Sequence, residues 1–249
     1  MNVATAIEAG VNALPRARIG LIIPSVNTFS EPQFNRFAPE GLGIHVARAR
    51  VAGPWKRPLP EMAGEIATAA QLLADCAPDL IVFHCTDTSM SQGPQGEGKI
   101  LDIVREATGI DAVATSRLVL EALQMLGLKR VALLTPYRSN RPIIDYLNAS
   151  AVEVVRDVAL KLKPLDFGTV TPAQWAELAQ ENDGPDVDGV FLSCTNTTQI
   201  EAIADIERRL GKPVVNSNQA VLWGCLRKLS AALAPPPAMP ELGRLMKHV

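Results

Sequence analysis

One stretch of this chain occurs twice. DLIVFHCTDT (Asp79 to Thr88) returns as DGVFLSCTNT (Asp188 to Thr197), 109 positions later. Each copy is an Asp, five mostly apolar residues, Cys-Thr, an Asp or Asn, and a Thr. Apolar runs this short, rich in branched and aromatic residues and closed by polar turn residues, read as buried strands. The repetition is wider than the cysteines. RIGLIIPSVN (from Arg18) resembles RVALLTPYRSN (from Arg130). IDAVATSRLVLEAL (from Ile110) and KPVVNSNQAVLWGCL (from Lys212) are each a strand, a Ser-containing turn and an apolar helix.

Eight runs read as strands: RIGLIIP, GIHVARARV, DLIVFHC, IDAVATS, RVALLTP, EVVRDVAL, GVFLSC and PVVNSN. Segments of helical spacing separate most of them, among them EMAGEIATAAQLLADC, KILDIVREAT and TQIEAIADIERRLG. Such alternation means βαβ units and mostly parallel sheets. The predicted fold is α/β: two similar Rossmann-like lobes related by a pseudo-two-fold axis, with the active site between them. The first lobe takes residues 1–117 and 227–249, the second 118–226, and the Pro-rich tail packs back on the first. A single long doubly wound sheet is the alternative.

Composition removes several classes. A net charge of −2, scattered basic residues and only 4% aromatics give no nucleic-acid surface. No apolar run approaches the roughly 20 residues of a membrane helix, and MNVATAIEAGVNALPRAR has no secretory pattern. Four cysteines are too few for a disulfide framework in 249 residues, so a cytoplasmic protein with reduced thiols is expected. Three scattered histidines supply no spaced ligand set, and no metal is expected. GPQGEGKI imitates a phosphate loop but has Ile100 where a Mg²⁺-binding hydroxyl belongs, and it is expected to follow a long polar loop. No G-x-G-x-x-G opens a helix, so no cofactor is expected.

Open α/β sheets bind ligands beyond the carboxyl ends of their strands. The residues there carry hydroxyls, amides and thiols, with Arg117 and Arg138 only at the edge. Cys85 and Cys194 end matched strands and lead into polar turns. Two thiols facing across such a mouth suit acid–base or nucleophilic chemistry at carbon, one as thiolate, its pKa lowered by a helix start, and one as thiol. Cys76 and Cys225 read as small buried hydrophobes. His84 precedes Cys85 on the strand and points to the opposite face, which makes it a buried residue and not a catalytic partner.

RIGLIIPSVNT, HCTDT, SCTNT, LLTPY and IEAIADIERRLGKPVVNSNQAVLWGCLRKL together resemble the Asp/Glu racemase superfamily, in its branch of maleate cis-trans isomerases and arylmalonate decarboxylases. The resemblance covers nearly the whole chain. It implies a cofactor-independent isomerase of a small unsaturated dicarboxylate, because maleate isomerases have both cysteines whereas arylmalonate decarboxylases keep only the second. By that resemblance Cys85 is the nucleophile and Cys194 handles the proton. Asn27 and Tyr137 bind carboxylate, and Thr86, Thr195 and Asn196 donate to the anion, with Ser25 in the Asn27 loop. It also implies a small carboxylate substrate and a homo-oligomer, dimer or tetramer. Racemisation of an amino acid or derivative, malonate decarboxylation and simple ligand binding are the alternatives. The chain departs from the isomerase pattern at Asp87, counted among the substrate-binding positions, where Cys-Thr-Ser-Gly is usual. An inward Asp87 would place a negative charge beside a dianion. It also lacks the Asp-Asn expected after KPLDFG.

Overall fold

A computed structural model describes residues 15–249. The first 14 residues, on which the reading of the N-terminus and the start of the first lobe rest, lie outside the described residues. All eight expected strands form: β1 (Ala17–Pro24), β2 (Leu42–Ala49), β3 (Leu80–Phe83), β4 (Ala112–Ala114), β5 (Arg130–Thr135), β6 (Glu153–Ala159), β7 (Gly189–Leu192) and β8 (Val214–Asn216). They build two four-stranded sheets, ordered β2-β1-β3-β4 and β6-β5-β7-β8, and every pairing is parallel. The identical order in both sheets makes the sequence repeat a structural one and excludes the single long sheet.

The repeated Asp has a physical role in each lobe. Asp79 Oδ2 accepts the Arg18 backbone N–H at 2.8 Å, and Asp188 Oδ2 accepts that of Arg130 at 2.8 Å. Each carboxylate thus holds the start of one central strand against its neighbour. The repeated Arg and Asp keep this bond although they stand 61 residues apart in one lobe and 58 in the other, and β3 and β7 behind it are buried at every residue. Burial on both faces is why these strands are continuous apolar runs.

The helices are α1 (Ser30–Phe37), α2 (Leu59–Ala74), α3 (Thr86–Ser91), α4 (Gly93–Thr108), α5 (Thr115–Met125), α6 (Arg141–Asn148), α7 (Pro172–Glu181), α8 (Ile203–Leu210) and α9 (Ser217–Lys228). Two were not expected. SEPQFNRF has few apolar residues, but Phe34 and Phe37 pack into the core and hold α1. The polar TDTSMS becomes α3 because Thr88 and Ser89 find backbone acceptors at Val51 and Cys85. The phosphate-loop look-alike therefore follows a helix and not a long loop. Its residues are themselves the first turns of α4, with backbone already committed to the helix.

A single apolar cluster runs through both lobes, from Leu21 and Val82 to Leu134, Leu192 and Leu222. Helices α5 and α9, which follow the matched strands β4 and β8, cross within it. Gly224 permits the crossing: a Cβ there would stand 2.5 Å from Leu118 Cδ2. Helix α5 also runs across the proposed lobe boundary at 117/118. The tail lies along the second lobe and this crossing. Leu242 joins the shared cluster, Leu245 packs with α5 and α9 residues, and the Trp223 indole donates to the His248 carbonyl at 3.1 Å.

Candidate active site

Cys85 and Cys194 each lie two residues beyond the last residue of β3 and β7, strands in corresponding sheet positions. Both are 3% exposed, and both line one cavity of about 90 Å³ at the seam of the lobes. Its walls also carry Asn27, Asp87, Tyr137, Thr195 and Asn196. Seven of the nine sequence-derived site residues thus converge. The other two do not reach the cavity. Thr86 turns its hydroxyl to Ser217 Oγ at 2.9 Å, and Ser25 is half-buried with its backbone N–H on Ala49.

The two thiols are held differently. Cys85 occupies the N-cap of α3 and its thiol donates to Thr88 Oγ1 at 3.2 Å; the Thr88 hydroxyl donates on to the Val51 carbonyl at 2.7 Å. Cys194 is followed by a non-helical loop, and its Sγ accepts the Asn196 backbone N–H at 3.3 Å. The expectation of a thiol acidified by a helix start is not met. Burial pushes Cys85 up to about 11, with the Asp87 charge adding to it and Thr88 and Lys56 opposing. Burial likewise pushes Cys194 up to about 12 against the Tyr137 hydroxyl and the Asn196 N–H. Desolvation of an anion in a nearly closed pocket outweighs one short helix. Both groups are therefore thiols when the cavity holds no ligand.

Asp87 does face the cavity, but its charge is answered. Its Oδ2 lies 2.8 Å from Lys56 Nζ, and both side chains are about 30% exposed (28% and 30%). Lys56 lies in the loop before α2 and was not singled out by the sequence. Through Asp87, Tyr137 and Phe167 the cavity adjoins a groove of about 980 Å³ that is also lined by Lys56, Arg138, Arg141 and Lys163. Apolar wall residues also escaped the sequence reading. Phe167 packs edge-on against Tyr137 with centroids 5.6 Å apart, and Gly53 meets Pro164 across the seam. Gly53 has φ +62°, a conformation favouring glycine, and a Cβ there would lie 3.3 Å from Pro164 Cγ.

Asn27 lines the cavity with its amide already engaged. Its Nδ2 donates to Ser30 Oγ at 2.9 Å and to Thr195 O at 3.1 Å. Asn196 reciprocates from the other lobe, accepting the Thr28 N–H at 2.8 Å. The bonds to Thr195 and Asn196 lock the loop after β1 to the loop that carries Cys194. His84 is buried on the opposite side of its strand from Cys85, bonded to Thr115, Ser30 and Asn218, and burial lowers its pKa to about 3. Cys225 is buried as expected. Cys76 is exposed, contrary to expectation, because α2 ends at Ala74 and leaves it in a surface turn. Among the described residues, no group of three His, Cys, Asp or Glu side chains is placed to hold a metal ion. No helix among them is long and apolar enough to cross a membrane.

Comparison with known proteins places this geometry. The sequence profile of the arylmalonate decarboxylase family matches residues 19–243. A maleate isomerase of Geobacillus stearothermophilus is 27% identical over 238 residues, covering 89% of this chain and 95% of that protein. An arylmalonate decarboxylase of Bordetella bronchiseptica is 32% identical over 165 residues, covering 64% and 68%. A crystal structure of a maleate isomerase from Pseudomonas putida S16 with maleate superposes with a TM-score of 0.83 at 25% identity, over 92% of this chain and 97% of the other.

Proposed function

We propose that this chain, which belongs to the arylmalonate decarboxylase family within the Asp/Glu racemase superfamily, is a cofactor-independent cis-trans isomerase. Its substrate is a small unsaturated dicarboxylate such as maleate. The observation that carries the proposal is that both matched cysteines line one small cavity. Arylmalonate decarboxylases, by the resemblance above, have only the second.

The chemistry balances with one proton shared by two sulfurs. Cys85 enters as thiolate and its Sγ bonds to one olefinic carbon, while the Cys194 thiol delivers its proton to the other. The bond order between those carbons falls to one, and the succinyl-type adduct rotates about it. The Cys194 thiolate then removes the proton, the double bond re-forms trans, and Cys85 leaves as thiolate. Tyr137 and Asn196 donate to the substrate carboxylates, with the Asn27–Thr195 bond holding the loop that presents Asn196. Lys56 neutralises Asp87 so that a dianion meets less repulsion. The assembly is proposed to be a homo-oligomer in the cytoplasm.

The test is direct. Maleate incubated with the purified protein and followed by proton NMR is expected to yield fumarate; a folded protein that yields none refutes the proposal. The carboxylate of Asp87 on the cavity wall favours a second reading, racemisation of an amino acid whose ammonium group it would pair. In D₂O that reaction washes solvent deuterium into Cα.

A further inference from the structure

The carbonyl oxygen of Thr195 receives an unusual number of donors. Asn27 Nδ2 lies at 3.1 Å, Ser30 Oγ at 2.9 Å and Asn218 Nδ2 at 3.2 Å. A carbonyl has two lone pairs, and most buried ones are satisfied by a single partner. All three donors are buried, at 0%, 0% and 2% exposure. They come from both lobes.

The donors are themselves fixed. Asn218 Nδ2 spends its other hydrogen on Gln33 Oε1, so Asn218 Oδ1 is an acceptor. Ser30 gives its only proton to Thr195, so its oxygen is an acceptor too. Both acceptors lie on His84 Nε2, at 3.0 Å and 3.1 Å. His84 must therefore carry its proton on Nε2, while Nδ1 lies 3.0 Å from the Thr115 hydroxyl, which also reaches the Phe83 carbonyl at 3.2 Å. The roles around Nε2 are mutually consistent.

The chemical consequence lies on the other side of the same peptide plane. No peptide bond is cis among the described residues, so the Asn196 N–H points opposite to the Thr195 carbonyl. That N–H is the one donating to Cys194 Sγ at 3.3 Å. Pinning the carbonyl thus aims the donor. At Cys85 the sulfur instead donates to the Thr88 hydroxyl within α3, so this device belongs to one cysteine only.

We infer that Ser30 and Asn218, oriented by His84, are positioning residues for Cys194: they hold the Thr195–Asn196 peptide with its N–H on the sulfur that carries the proton. The inference rests on Cys194 as the proton carrier of the proposed reaction. The other titratable groups facing Cys194 are Tyr137 from the loop after β5 and, across the cavity, Cys85 and Asp87.

The experiment needs no substrate, so failure of the maleate assay leaves it interpretable. Iodoacetamide labelling of Cys194 is followed by peptide mass spectrometry between pH 7 and 10 in the native protein and in Ser30→Ala, Asn218→Ala and Ser30→Thr. The Ala variants are expected to label Cys194 about threefold or more slowly at a given pH, with the profile displaced to higher pH. Ser30→Thr, which keeps the hydroxyl, is expected to follow the native profile, and Cys85 serves as the internal reference. A Cys194 profile unchanged in folded Ala variants overturns the inference. If those variants do not fold, the Asn196 amide resonance is compared between the native protein and Cys194→Ala at pH 7. It must shift when its sulfur acceptor is removed, and an indifferent amide overturns the inference equally.

Discussion

Lys56 Nζ sits 2.8 Å from Asp87 Oδ2 at the point where the cysteine cavity meets the outer groove. A partly exposed pair like this contributes little to stability. Its value lies in charge balance beside an anion. Replacing Lys56 by Ala leaves Asp87 uncompensated, and the expected outcome is a KM for maleate raised about tenfold with kcat much less affected. Asp87→Asn is expected to move KM the other way. Steady-state kinetics at low and moderate salt check both, since the difference must shrink as salt screens the charge.

The shared-proton scheme makes the two cysteines a unit. Cys85→Ala and Cys194→Ala are each expected to lower kcat by about a thousandfold or more, and the double variant is expected to be no worse than either single one. A double variant whose loss is the product of the single losses would contradict the scheme.

Because burial raises Cys85 to about 11, few free molecules carry the attacking thiolate at neutral pH. The dependence of kcat/KM on pH reports the free enzyme. It is expected to climb about tenfold per unit from pH 7 to 9 with no plateau in that range. A plateau below pH 8 would show a nucleophile already ionised.

His84 titrates in the opposite sense. Its pKa falls from 6.5 to about 3 in the folded protein, chiefly through burial. Between those values the unfolded chain binds a proton that the native one refuses, so stability rises with pH across that window. The stability is fully present above 6.5 and is lost as pH falls toward 3. Urea midpoints from pH 4 to 7 are expected to fall less steeply on acidification in His84→Gln than in the native protein.

Gly224→Ala places a methyl 2.5 Å from Leu118 Cδ2, and Leu118 is fully buried. The expected cost is about 1–3 kcal/mol, read from denaturant unfolding. Leu118→Ala in the same chain is expected to recover part of it, because the clash is between these two side chains.

The sequence by itself determined the strands, their pairing into two like lobes, and the two cysteines. Short apolar runs with a conspicuous Asp before and a polar turn after leave few alternatives, and the repeat adds a second copy of each constraint. The last link, from matched strand ends to one shared cavity, followed from the topology of parallel sheets. Local chemistry beyond that was not legible. Helix α1 has too few apolar residues to announce itself, and Cys76 looked like core although its helix ends two residues earlier. Only the tertiary structure decided the protonation of the thiols, the pairing of Asp87 with Lys56, and the carbonyl of Thr195 held by Asn27, Ser30 and Asn218. The physical reason is common to all three. A pKa, an ion pair and a hydrogen-bond direction depend on desolvation and on partners distant in sequence, 168 residues apart for Asn27 and Thr195. Periodicity and spacing carry no record of either.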